Sequence, residues 1–185
     1  MDKLNVFSSK DIAKITQHRS GEIKFGEKII TVPIEENWIE FITNSEAKFV
    51  LIGLPEDIGV KANLGRIGTA SAFSSALKSL VNFQHNKFCK GSELIALGEL
   101  DFSEEMAIAS KLSTSNKEER KQLFQLVERI DKEVSHLICL VIKAGKIPII
   151  IGGGHNNAYG NIKGLALAKG KPINAINFDA HTDFR

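Results

Sequence analysis

The sequence predicts a three-layer α/β/α fold, with a mostly parallel sheet between two layers of helices. Three observations carry this. Apolar runs of strand length recur with few polar interruptions, which is the pattern of strands buried on both faces. Stretches with apolar residues three and four apart, the helical period, lie between those runs. Strands and helices then alternate along the chain, which favours parallel strands joined by crossovers.

Taken in order, residues 1–45 show no regular pattern and form an N-terminal extension. Within them, residues 6–18 read as a short helix. Residues 22–33 read as a hairpin or extended segment turning near Gly26, and residues 35–43 as a helix around Trp38. From residue 46 to residue 185 the pattern is regular and belongs to one domain. Strands are expected at residues 49–54 (FVLIGL), 94–97 (LIAL), 147–151 (IPIII) and 173–178 (INAINF). Helices are expected at residues 69–83, 117–144 and 157–168. The second of these carries Leu123, Leu126, Ile130, Val134, Leu137 and Val141 as one apolar stripe, with Gly145 as its stop. Gly170 and Pro172 end the third. The last two strands and the helix between them read as a βαβ unit, whose strands share one sheet and often lie side by side.

Hydrophobic residues at 43% and charged residues at 25% are ordinary for a soluble globular protein. A net charge of +2, with no basic tract, is too small to point to nucleic acid or an anionic membrane. Cys89 and Cys139 sit in no C-x-x-C pair and read as reduced thiols of a cytosolic protein. The N-terminus has no long apolar run, and the longest apolar runs are too short to span a bilayer. A cytoplasmic protein is expected.

Two segments carry chemistry. Residues 151–157 (IGGGHNN) follow a strand and precede a helix, so His155 leaves the carboxyl end of its strand. Three glycines allow a sharp turn and close approach of another group. A phosphate-binding turn is the competing reading, but the segment fits neither G-x-G-x-x-G nor the Walker pattern. Residues 177–183 (NFDAHTD) place Asp179, His181 and Asp183 at alternate positions where a strand runs out. In an extended chain those three side chains share one face. Two carboxylates and an imidazole so placed repel one another or compete for protons unless a cation sits between them. A solvated polar loop is the alternative. In open α/β sheets ligands bind past the carboxyl ends of the strands, so His155 can join the other three. Two nitrogen and two oxygen donors without a thiolate suit Mn²⁺ better than Fe²⁺, Co²⁺ or Zn²⁺.

The GGGHN and DAHTD segments resemble the first two metal motifs of the ureohydrolase superfamily of arginases, agmatinases and formimidoylglutamases. The loop Gly53-Leu54-Pro55-Glu56-Asp57-Ile58-Gly59-Val60, followed by Asn63-Leu64-Gly65-Arg66-Ile67-Gly68, also looks like that family's loop after the first strand. The resemblance covers residues 48–185 and makes residues 46–185 the N-terminal part of a ureohydrolase domain of arginase-like fold. GGGH with DAHTDFR looks most like the formimidoylglutamase branch, whereas arginases and agmatinases more often read GGDH, from which Gly154 departs. The resemblance implies that His155 and Asp183 ligate one Mn²⁺, that His181 ligates a second and that Asp179 bridges the two. It implies hydrolysis of a linear C–N bond in an amidine or guanidine by a hydroxide held between the metals, in a homo-oligomer. The family's third motif, a pair of aspartates, does not occur in this sequence, and the chain stops two residues past Asp183. A truncated piece of a longer protein is therefore expected, one that binds metal weakly and does not turn over substrate by itself. Competing readings are a single-zinc deacetylase of related fold and a non-catalytic member acting as a binding subunit.

Outside the motifs, His18, His85 and His136 read as surface or packed histidines. Glu56 and Asp57 follow the first strand at the same sheet edge. As loop acids they are expected to be solvated, with a role behind the ligands or toward substrate as the other reading. Arg66 is a candidate anchor for that loop, and Asn156 a candidate cap for the helix after it. Asn157 and Tyr159 could face substrate or solvent.

Overall fold

A computed structural model describes residues 2–180. The strands are β1 (Leu4–Val6), β2 (Phe49–Gly53), β3 (Leu94–Leu100) and β4 (Ile147–Ile151). The helices are α1 (Ser9–Ile15), α2 (Trp38–Asn44), α3 (Ile58–Ala62), α4 (Ala72–Leu80), α5 (Ser103–Ser110), α6 (Lys117–Lys143) and α7 (Asn157–Lys169). Short 3-10 turns cover Phe25–Glu27, Thr69–Ser71 and Gly91–Glu93.

The sheet runs in the order β1-β3-β2-β4. β2 pairs parallel with both β3 and β4, while β1 pairs antiparallel with β3. Successive side chains on a strand face opposite ways, and both faces here are apolar. Val50, Ile52, Ile95 and Leu97 enter a core with the stripe of α6 that runs from Leu123 to Val141. Leu51 and Ala96 face the other way, toward Phe73 and Leu77 of α4, Ile12 of α1 and Phe25. The expected layers are therefore present: α1 and α4 on one side of the sheet, and α2, α3, α5 and α6 on the other.

Capping explains where several helices begin. The Asn116 side chain accepts from the backbone N–H groups of Glu118 and Glu119, and Asn37 does the same for Ile39 and Glu40. α6 ends at Lys143, with Gly145 just beyond it at φ 79°. α7 ends at Gly170, which is left-handed with φ 64°. α7 then lies along α6 at short range. A Cβ on Gly164 would come within 2.7 Å of Ile138 and of the Ser135 carbonyl oxygen, and one on Gly160 within 2.8 Å of Val134. Only glycine lets the two backbones approach this closely.

Several expectations need correction. Residues 173–178 form no strand among the described residues. Ile176 is 87% and Phe178 98% exposed. An apolar run becomes a strand only if its backbone finds a ladder partner, and β4 pairs with β2 alone. An open cleft of about 1150 Å³ instead separates Ile173 and Ile176 from Ile147 and Ile150 of β4 and Ile142 of α6. The expected βαβ unit is thus present only as β4 and α7. Near the start, the helix expected at residues 6–18 is the shorter α1, preceded by β1. Residues 22–33 hold a 3-10 turn and two isolated bridges, Lys24 with Gln84 and Ile30 with Ile95, in place of a hairpin. The extension packs into the same molecule, since Ile12, Phe25, Val32 and Ile42 are all buried. Cys89 and Cys139 are free thiols.

Candidate metal centre at the carboxyl end of β4

β4 delivers its chain directly into the glycine turn. Gly152 and Gly153 take φ values of 97° and 76°, a region that L side chains rarely adopt. Gly153 also has no room for a side chain. A Cβ on Gly153 would lie 2.2 Å from the Asn157 amide nitrogen and 3.0 Å from a Glu56 carboxylate oxygen. The turn reverses the chain, α7 begins at Asn157, and His155 is left standing at the rim.

His155 and Asp179 meet there. The imidazole Nδ1 lies 3.4 Å from Asp179 Oδ2, with the two side chains 50% and 26% exposed. Two of the four residues singled out in the sequence are therefore together, reached from opposite ends of α7. His181 and Asp183 lie outside the described residues. Among the described residues no group of three or more His, Cys, Asp and Glu side chains gathers in one place. The donor pair itself, one imidazole nitrogen and one carboxylate oxygen, half open to solvent and with no thiolate near, suits a borderline or hard divalent ion.

The turn that carries His155 rests on the loop after β2, and here the sequence was misleading. Glu56 is fully buried and Asp57 is 8% exposed, so neither is a solvated loop acid. Glu56 Oε2 accepts from Ile58 N at 2.7 Å and from Gly59 N at 3.4 Å, which starts α3. Its Oε1 accepts from Gly154 N at 2.8 Å and from the Asn157 side-chain amide at 2.6 Å. One carboxylate thereby joins the loop after β2 to the turn after β4. These loops are neighbours because β2 and β4 are paired.

Asp57 looks outward along its own loop. It accepts from Thr69 Oγ1 at 2.5 Å, from Ala70 N at 2.9 Å and from Gly68 N at 3.1 Å. It is this carboxylate that anchors residues 68–70, whereas the candidate anchor Arg66 is exposed. Asn156 occupies the N-cap position of α7 but has helical backbone angles and makes no side-chain cap bond. Its side chain wedges instead between Gly59 and Gly154, within 2.3 Å of where a Cβ on either would stand. Both of its polar atoms are buried without a partner there. Asn157 is 3% exposed, which excludes a role facing solvent, while Tyr159 is exposed under the Lys163 ammonium at 5.3 Å.

Burial pushes the Asp131 carboxyl on α6 up to about 6, and the negative charge of Glu56 adds to the effect. Asp131 Oδ1, Asn157 Oδ1 and Asn161 Oδ1 are buried acceptors without a hydrogen-bond donor. The buried carboxylate that joins the two loops thus has an acidic neighbour that gives up its proton reluctantly.

Comparison with known proteins gives this arrangement a context. The chain is 31% identical over 147 residues to a formimidoylglutamase of Chromobacterium violaceum, covering 77% of this chain and 39% of that protein. A formimidoylglutamase of a Geobacillus species is 34% identical over 145 residues, with coverage of 77% and 38%. One of Hahella chejuensis is 32% identical over 151 residues, again at 77% and 38%. The chain thus spans about two fifths of the length of these curated relatives. No solved structure matches it. Residues 47–185 match the arginase family profile, and with three quarters of its length inside that match the chain belongs to the arginase family.

Proposed function

We propose that the protein containing this chain is a manganese-dependent hydrolase of linear C–N bonds in amidine or guanidine substrates, of the formimidoylglutamase type. The observation that carries the reading is the approach of His155 Nδ1 to Asp179 Oδ2, 3.4 Å apart at the carboxyl rim of the sheet. Family membership and the similarity to three formimidoylglutamases support it. His155, Asp179, His181 and Asp183 are the residues proposed to hold two Mn²⁺ ions. When bound, the ions would supply Lewis acidity and make a water molecule acidic enough to act as a nucleophile near neutral pH.

The chain's own residues do the positioning. The glycine turn sets the half-exposed His155 at the rim, and the buried Glu56 and Asn157 hold that turn from below. Water attack on a formimino carbon and cleavage of its bond to the substituted nitrogen gives formamide and a free amine, and a guanidinium would give urea and an amine. No helix among the described residues is long and apolar enough to cross a membrane. A cytoplasmic homo-oligomer acting on a small molecule is the setting proposed for this chemistry.

The test is metal analysis and turnover of the full-length protein. With Mn²⁺ present, formamide release from N-formimidoylglutamate is expected to exceed urea release from arginine or agmatine. A His155→Ala variant is expected to bind Mn²⁺ at least tenfold more weakly. No release of formamide, urea or ammonia from any of the three substrates would defeat the reading.

A further inference from the structure

We propose that Glu56 is the positioning residue of this site: its buried carboxylate fixes the turn of residues 152–154 and, through it, the place of His155. The inference rests on the function proposed above. Glu56 is fully buried, and a carboxylate held in the interior is costly unless its oxygens are satisfied. They are, by N–H donors on both sides of the sheet's carboxyl edge. Ile58 N and Gly59 N come from the loop that holds Glu56, while Gly154 N and the Asn157 amide come from the turn that holds His155.

The contacts bracket the histidine. Gly154 is the residue before His155 and Asn157 lies two residues after it. Fixing a backbone N–H on one side and a side-chain amide on the other leaves His155 little freedom to move as a unit with the turn. Asn157 Nδ2 also donates to the Gly154 carbonyl at 3.1 Å, which closes the bracket on itself. Glycine at position 153 keeps this space clear, since a Cβ there would stand 3.0 Å from Glu56 Oε1.

The partner set also decides which side chain can stand at position 56. All four partners are donors, and an ionised carboxylate only accepts. Glutamine has the same shape but carries one NH₂ group, which must face either the α3 pair or the Gly154 and Asn157 pair. Donor would then meet donor on one side, and the two loops would lose their common tie. Alanine would leave both pairs of donors buried without an acceptor. The role is mechanical: Glu56 is fully buried and acts through the turn.

The test compares Glu56→Gln and Asn157→Ala with the wild type in the full-length protein, using two readouts. The first is hydrogen exchange of peptides covering residues 152–157, with the β3 peptide as an internal control. The second is Mn²⁺ affinity from the loss of the free-ion paramagnetic resonance signal. Both variants are expected to exchange faster at residues 152–157 and at the control rate in β3. Both are expected to bind Mn²⁺ about tenfold more weakly. Wild-type exchange in that peptide, or faster exchange with wild-type Mn²⁺ affinity, overturns the positioning role. If Glu56→Gln does not fold, Asn157→Ala decides the matter alone. A wild-type protein that binds no Mn²⁺ sinks the proposed function, and the exchange readout then still judges whether Glu56 holds the turn.

Discussion

The Asn157 side-chain amide donates to the Glu56 carboxylate at 2.6 Å, across 101 positions of sequence and entirely in the interior. Asn157→Ala removes that donor and leaves a buried anion one partner short. Hydrogen bonds to charged groups are worth about 1.5–3 kcal/mol, so a loss of about 2 kcal/mol is expected in urea denaturation. An unchanged midpoint would mean that the carboxylate finds a replacement donor.

Asp57 predicts a similar loss with a different address. Its carboxylate holds Gly68 N, Thr69 Oγ1 and Ala70 N at the start of the turn leading into α4. Asp57→Ala should cost about 2 kcal/mol, and Thr69→Val about 1 kcal/mol because this bond is only part-buried and Asp57 keeps the Gly68 and Ala70 donors. In limited proteolysis the Asp57→Ala protein should be cut first within residues 63–70. Cleavage elsewhere first would argue against the anchoring role.

Gly164 sets helix propensity against packing. Alanine is favoured over glycine inside a helix by about 1 kcal/mol. At position 164 its Cβ would press on Ile138 and on the Ser135 carbonyl at 2.7 Å, and the carbonyl belongs to backbone that cannot swing aside. Overpacking of this kind costs about 1–3 kcal/mol, so packing wins and Gly164→Ala should lower the thermal midpoint by several degrees. A rise in that midpoint would show that α7 moves away from α6 without loss.

The Asp131 carboxyl gives a pH prediction with a definite sign. Its folded value is raised to about 6 from 3.8, mainly by burial. The folded protein thus binds this proton more tightly than the unfolded chain does. The favourable contribution is complete below about 4 and is lost as pH rises through about 6. Asp131→Asn removes the penalty and should stabilise the protein near pH 7.5 by about 1 kcal/mol, less than full linkage because water reaches part of the side chain. The advantage should shrink toward pH 4.5. Equal stabilisation at both pH values would rule out ionisation as the cause.

The parts of the fold that were legible in sequence are those whose signal is local. β2 and β4 are unbroken apolar runs, and the stripe from Leu123 to Val141 marks α6 almost to the residue. β1 has three residues, too few for any period to show. α5 carries Glu104 and Glu105 in its first turn and buries only Glu105 and Ala109, so it has no apolar stripe to read. Residues 173–178 misled because apolar character reports burial, while a strand also requires a partner backbone. At the candidate site, the sequence marked His155 and Asp179 through a glycine turn and alternating ligand types, and the structure places these two side chains 3.4 Å apart. Glu56 was not so marked, because its burial depends on Gly154 and Asn157, roughly a hundred positions away. No window of sequence around Pro55 contains that information.

The two borders of the sheet are unequal. β1 offers three residues on its outer side, whereas β4 offers five, including the exposed Ile147 and Ile149. A newcomer strand would find more ladder positions and more apolar surface along β4. Running parallel there, it would finish next to the imidazole of His155. A strand added parallel on that side would therefore end beside the place where the chemistry is proposed to occur.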